Sequence, residues 1–231
     1  MSTSNTTPAP TDCWTCNATL ASSALICPNC GKVQPATNID YFQVFGLPRG
    51  LAVDTVVLEQ EFHRLSRRLH PDRFARATSN EQQWSLVSTA LLNDAYRTLR
   101  DPIQRTEYLL KLEGFELGEE SIQKDKGAER RQPPADLLEE VFDLNMQLEE
   151  MRMNQKMGET DAALQSDLTA ARARFESLLA AVDADLAAQG QLWDTGDSAV
   201  RETAAKTMAA LLDRRRYLRN LVRGVNEVLA T

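Results

Sequence analysis

Four cysteines lie within eighteen residues as Cys13-x-x-Cys16 and Cys27-x-x-Cys30, the only cysteines in the chain. Thiolates paired at this spacing can close a tetrahedral metal site. The ten residues between the pairs are fewer than the roughly fifteen to twenty of the common zinc pattern, but Pro28 and Gly31 suit the tight turn of a knuckle. Four sulfur ligands leave no open coordination position, so the expected ion is a structural zinc(II), with iron as the alternative. Two disulfides or a redox pair are the other readings, and the βαβ setting of a thioredoxin is missing. A second candidate is His70-Pro71-Asp72. A His beside an Asp could act as a general base or form an ordinary surface pair.

The surroundings of the tripeptide redirect its chemistry. Residues 64–76 carry Arg64, Arg67, Arg68, Arg73 and Arg76 against one acid, Asp72, a basic face that calls for an acidic partner surface or simply meets solvent. Leu58, Phe62, Leu65 and Leu69 recur at helical spacing behind Asp54 as N-cap, and Pro71 ends that helix. A second helix is predicted from about residue 80, carrying Trp84, Val87, Leu91, Ala95 and Leu99 inward. Asp101-Pro102 then opens a shorter helix running to Gly114. Beyond it, residues 114–135 are poor in apolar side chains and read as a linker. Three helical runs follow, roughly 136–156, 161–188 and 198–229, with breaks near Gly158 and across residues 190–196. Three antiparallel helices bury three stripes most simply.

The expected organisation is therefore a disordered N-terminus over 1–11, a tetracysteine knuckle over 12–35, a helical domain over 39–113, the linker 114–135, and a C-terminal three-helix bundle over 136–231. A polar stretch at 34–38 serves as spacer. Of the composition, 42% is hydrophobic, 26% charged and only 6% aromatic, which suits a helix-rich all-α chain. The net charge of −7 comes from residues 114–231, where acids outnumber bases. A nucleic-acid binder would show a basic field instead. No run approaches the roughly 18 apolar residues of a membrane span, and residues 1–11 have neither the basic nor the apolar region of a secretory signal. The cytoplasm is the expected compartment, the mitochondrial matrix the alternative.

One helix has more apolar surface than a core requires. In 136–151 the positions Leu137, Val141, Leu144, Leu148 and Met151 make the packing stripe, while Leu138, Phe142 and Met146 fall about 100–180° around the helix. Such a second face needs cover, from a partner or from the rest of the protein. In the last run Met208, Leu211, Leu218, Val222, Val225 and Leu229 form the expected core stripe, flanked by Tyr217 and Leu221.

Three segments in succession, Asp40-Tyr41-Phe42-Gln43-Val44-Phe45-Gly46-Leu47-Pro48, Leu69-His70-Pro71-Asp72-Arg73-Phe74 and Leu92-Asn93-Asp94-Ala95-Tyr96-Arg97-Thr98-Leu99-Arg100-Asp101-Pro102, resemble the signature of a J domain. The continuation Arg105-Thr106-Glu107-Tyr108-Leu109-Leu110 is more particular and resembles the HscB family, J-protein co-chaperones of iron–sulfur cluster assembly. The resemblance covers about 40–231. The cysteine cluster is similar to an extension found on eukaryotic and some bacterial members. Leu69 stands where an aromatic is frequent, Arg73 where Lys is, and Met146 where an acid often is.

The resemblance implies a J domain built as a helical hairpin with short flanking helices, followed by the bundle. It implies that His70, Pro71 and Asp72 engage a DnaK- or HscA-type chaperone and stimulate its ATPase, with Arg64, Arg67, Arg68 and Arg73 docking on that partner. It further implies that Leu138, Phe142, Asp143, Met146 and Tyr217 bind an IscU-like scaffold protein, and that the protein is no enzyme. Two other functions stay open: a general J-domain co-chaperone for unfolded clients, and a Cys-x-x-Cys thiol oxidoreductase. Against the latter, the sequence offers no nucleophile signature, no Gly-rich phosphate loop and no third group to orient His70. Self-association is an open expectation.

Overall fold

The computed structural model describes residues 11–115, 117 and 135–230, which divide into two compact units, Met1–Tyr108 and Leu109–Thr231. Residues 1–10, nearly all of the N-terminus expected to be disordered, and most of the expected linker lie outside the described residues. Thr11, expected to be disordered, pairs with Leu20 in a two-stranded hairpin, β1 (Thr11–Asp12) against β2 (Thr19–Leu20).

Helices supply most of the rest of the first unit: α1 (Tyr41–Val44), α2 (Thr55–Leu69), α3 (Ser79–Arg100) and the first turns of α4 (Pro102–Leu112), which runs across the boundary at Tyr108. Asp54 caps α2 by accepting from Val56 and Val57 N–H, and Leu58, Leu65 and Leu69 are buried from its inner face as their spacing requires. The inner face of α3 differs from the expected one. Glu81, Ser85, Ser88, Leu92, Ala95 and Leu99 are buried, while Trp84 and Leu91 are half-buried and Val87 is exposed. The true face repeats at four and three residues, and its first half is polar, so a reading by hydropathy slid to the apolar neighbours.

Ser85 has a backbone partner to serve, and Ser88 has none among the described residues. Pro71 offers no N–H and forces His70 out of helical geometry, to φ −54° and ψ 129°, so α2 stops with its last carbonyls unpaired. The Leu69 carbonyl instead accepts from Ser85 Oγ at 2.5 Å and Thr89 Oγ1 at 3.2 Å. A single 3₁₀ turn, Pro71–Phe74, then leads toward α3, with Phe74 buried among Leu65, Leu69, Leu92 and Ala95.

The segment that suggested the HscB family has structural work within this unit. Arg105 is buried and donates from Nη1 to the Leu99 carbonyl at the end of α3. Tyr108 stacks on Tyr41 with ring centroids 4.3 Å apart, and its hydroxyl accepts from the Tyr41 N–H.

In the second unit α5 (Leu138–Met157) packs on the two long helices α6 (Ala162–Thr195) and α7 (Ser198–Leu229). Gly158 ends α5 in the left-handed region, φ 73°, where glycine carries no Cβ penalty. Residues 190–196 are not a broad break. Gly190 is buried inside α6, which continues to Thr195, and the turn consists of Gly196 and Asp197, the latter capping α7. The predicted α5 stripe is buried throughout, from Leu137 to Met151. On α7 the stripe is rotated from expectation: Ala204, Ala205, Met208, Leu212, Leu218, Val225 and Val228 are buried, whereas Leu211, Val222 and Leu229 are half-buried.

Ser85→Ala is expected to cost about 1–2 kcal/mol, the penalty of leaving a buried carbonyl with one weaker donor. The larger, apolar but exposed neighbour is expected to matter less, with Leu86→Ala costing about 0.5 kcal/mol or less. Urea unfolding of the two variants checks the order, which is the reverse of what hydropathy suggests.

Candidate functional site

The tetracysteine cluster is built from two copies of one backbone device. In the first, the Asn17 N–H donates to the Cys13 carbonyl and the Cys13 N–H to the Ala18 carbonyl, both at 2.9 Å. In the second, Gly31 donates to Cys27 and Cys27 to Lys32, again at 2.9 Å. Each loop turns on a left-handed residue just after its second cysteine, Asn17 at φ 53° and Gly31 at φ 74°. Gly31 was legible in the sequence. Asn17 was missed, although Asn is the side-chain-bearing residue that best tolerates this region.

These turns bring the four Sγ atoms within 4.8 Å of one another. Cys13 and Cys30 are 3.6 Å apart, Cys16 and Cys27 3.7 Å. A disulfide needs about 2.05 Å, whereas a tetrahedron with metal–sulfur bonds of about 2.3 Å has edges of about 3.8 Å. The sulfurs are therefore positioned to bind a metal ion. Burial opposes the Cys13 thiolate, but the Cys16 and Thr15 N–H groups and neighbouring thiols bring it down to about 6. For Cys30 the Lys32 N–H works toward the thiolate, yet burial and the neighbouring sulfurs push it up to about 12. A group of thiols that resists its last deprotonation is one that a cation would complete. Outer contacts come from Asn29 Nδ2 to Cys16 Sγ at 3.6 Å and Gln34 Nε2 to Cys13 Sγ at 3.4 Å.

The knuckle is joined to the helical hairpin. Leu25 and Val33 share one core cluster with Val44, Leu65, Leu69, Phe74, Leu92 and Ala95. Trp14 donates to the Val33 carbonyl and meets Trp84 edge-on, centroids 5.6 Å apart. Lys32 Nζ reaches Glu81 Oε1 at 2.7 Å, and the Glu81 side chain is only 3% exposed. The Lys32 hydrogen bond is the largest influence on that carboxyl, holding it below the usual range against burial.

His70, Pro71 and Asp72 project from the other end of the Leu69 anchor. The Asp72 N–H donates to His70 Nδ1 at 3.3 Å, and the Asp72 carboxylate is 3.5 Å from the same nitrogen. Asp72 is 90% exposed and His70 54%, and among the described residues no third side chain orients the imidazole, so the pair lies on the surface and lacks buried acid–base geometry. Arg64 pairs with Glu61. Arg67, Arg68, Arg73 and Arg76 are exposed, and no carboxylate among the described residues pairs with them.

On the second unit Leu138, Phe142 and Met146 are exposed, Phe142 by 65%. The same face continues through Met153 and Met157, also exposed. Sequence reading stopped at Met146, although the spacing of four, four, seven and four keeps all five side chains within about 100° of arc. Asp143 is exposed one step beyond the stripe. Tyr217 belongs to α7 and is half-buried, its phenol pushed up by that burial. Arg214 grips Asp136 with two hydrogen bonds, at 2.9 and 2.7 Å, which places the start of α5, and so Leu138, beside the middle of α7, the stretch that carries Tyr217. Among the described residues, no helix is long and apolar enough to cross a membrane.

No protein-family profile matches the chain. Curated relatives do. A co-chaperone protein HscB homolog of Shewanella halifaxensis is 45% identical over 83 residues, 36% of this chain. Its counterpart in Vibrio cholerae is 43% identical over 82 residues. Each match spans about half of the relative's length, 48%. The solved chaperone HscB from Vibrio cholerae superimposes with a TM-score of 0.56 and 26% identity, covering 82% of this chain and 97% of that one. Human co-chaperone HscB, at 23% identity, shares the fold with a TM-score of 0.65, covering 94% of this chain and 98% of that one. In sequence over about a third of its length, and in fold over most of it, the chain is a relative of the HscB co-chaperones, with a tetracysteine knuckle ahead of its helical hairpin.

Proposed function

We propose that the protein is a non-enzymatic co-chaperone that binds the scaffold on which iron–sulfur clusters are assembled, delivers it to a DnaK- or HscA-type chaperone, and stimulates that chaperone's ATPase. One observation carries the reading: a His-Pro-Asp turn with His70 and Asp72 exposed, beside arginines of which Arg67, Arg68, Arg73 and Arg76 have no carboxylate partner among the described residues, in one unit, and an exposed apolar stripe on a helix of the other. Each surface needs a different partner. Cations docking on an acidic chaperone face make association fast and salt-sensitive, whereas leucine, phenylalanine and methionine side chains bind by losing water.

In this mechanism the chain does no bond chemistry. His70, Pro71 and Asp72 contact the ATPase domain, and Arg64, Arg67, Arg68 and Arg73 set its orientation. Leu138, Phe142 and Met146 hold the scaffold, bordered by Asp143 and Tyr217. Cys13, Cys16, Cys27 and Cys30 hold zinc(II), which closes the two knuckles and has no catalytic position to offer.

His70→Gln is expected to abolish stimulation in a steady-state ATPase assay with the chaperone while leaving scaffold affinity unchanged; intact stimulation would sink the chaperone assignment. Leu138→Ala combined with Phe142→Ala is expected to weaken scaffold binding by about fivefold or more per residue, since truncating a buried anchor costs about 1 kcal/mol or more. Calorimetric titration reads this, and an unchanged affinity rejects the face. Metal analysis of the purified protein is expected to find one zinc per chain and no thiol reactive before chelation, against iron or titratable thiols on the other readings.

A further inference from the structure

The tetracysteine site is far in sequence from the His-Pro-Asp turn, yet a short series of contacts joins them. Lys32 stands two residues beyond Cys30, and its carbonyl accepts from the Cys27 N–H and from Gln34 Nε2, both at 2.9 Å. Closing the knuckle therefore fixes where Lys32 leaves the backbone. Its ammonium lies 5.9 Å from the centroid of the Trp14 ring and bonds Glu81 Oε1. The other Glu81 oxygen accepts from the Thr78 N–H at 3.2 Å and hydroxyl at 2.9 Å, the capping box that starts α3. Gln82 next to it donates to the carbonyls of Ala75 and Ala77. The segment from the His-Pro-Asp turn to Thr78 is thus tied to the first turn of α3, and that turn is tied to the knuckle.

Glu81 gives the link its strength. The Glu81 carboxylate is buried while the Lys32 side chain is 43% exposed, so losing Lys32 leaves a buried charge with only the Thr78 donors, which costs more than losing a surface pair. Phe74, directly after the turn, shares its core cluster with Leu25 and Val33 of the knuckle. A knuckle that loses its ion loses the constraint that holds both Lys32 and those two side chains in place.

We propose that the metal-loaded knuckle is a positioning element for the His70-Pro71-Asp72 turn, acting through Lys32, Glu81 and the start of α3, so that metal loss loosens the turn without altering any residue in it. The coupling stands on the contacts alone; its consequence for chaperone stimulation rests on the function proposed above.

Amide hydrogen exchange on the full chain, before and after chelation and with metal content measured on the same samples, reads the coupling without any partner. Chelation is expected to speed exchange over residues 72–82 by about tenfold or more, the scale of one lost hydrogen bond to a charged group, with residues 162–229 unchanged. Lys32→Met keeps the cysteines and the ion but cuts the link beyond them, and is expected to loosen residues 72–82 with the metal still bound. Two results overturn the proposal: residues 72–82 keeping their protection while residues 13–33 lose theirs, or metal-loaded Lys32→Met exchanging like the parent. Stimulation of a chaperone's ATPase, measured on the same samples, separates the two readings: a loosened turn with stimulation unchanged keeps the coupling and removes its consequence for the chaperone, whereas a metal-loaded parent that does not stimulate removes the chaperone assignment and leaves the coupling standing.

Discussion

Pro71 cannot continue a helix, and much of the first unit is arranged around that. Its ring forces His70 out of helical geometry and ends α2 at Leu69, and the Arg73 N–H that a continuing helix would have given to the Leu69 carbonyl goes to His70 instead. Ser85 and Thr89 accept the task of pairing with the Leu69 carbonyl, which fixes the end of α2 against α3 at a defined height. Leu58, Leu65 and Leu69 can then bury together, and the next three residues are lifted clear of the core. An exposed His-Pro-Asp turn on a rigid base follows from one diverted donor and two well-placed hydroxyls.

The second unit solves a different problem. Its α5 has two apolar faces, and the bundle covers only the one from Leu137 to Met151. The other, from Leu138 to Met157, stays in water. An uncovered stripe of this length is unfavourable for solubility unless something binds it, and methionine is a side chain that adapts to the surface it meets. In the proposed function that surface is the scaffold. The two units thereby divide the work: a charged, polar contact that is made and broken readily, and an apolar one that holds.

Much of this could be read from residue order. The α2 face was legible because Leu58, Phe62, Leu65 and Leu69 are apolar and evenly spaced, and the α5 core for the same reason. What escaped was set by partners distant in the chain. Ser85 is buried although polar, because α3 must face a carbonyl sixteen residues back, and Ser88 shares its face one turn on, so hydropathy points to Val87 in their stead. Gly190 looks like a break, but the packing of α6 on α7 carries the helix through it. The pairing of Lys32 with Glu81 spans 49 residues, and no local pattern announces it. Within the site, the cysteine spacing and the tripeptide are plain in the sequence, whereas Met153 and Met157 stand beyond Glu149 and Glu150, charged side chains that interrupt the apolar spacing of four.

The central claim is that one chain couples a scaffold to a chaperone. Its most direct test is the steady-state ATPase rate of a DnaK-type chaperone at fixed chain concentration while an iron–sulfur scaffold protein is added. Stimulation by chain and scaffold together well above the sum of their separate effects is the predicted result. A rate that stays at that sum, or falls as scaffold is added, would contradict it, since the two surfaces would then act independently or compete.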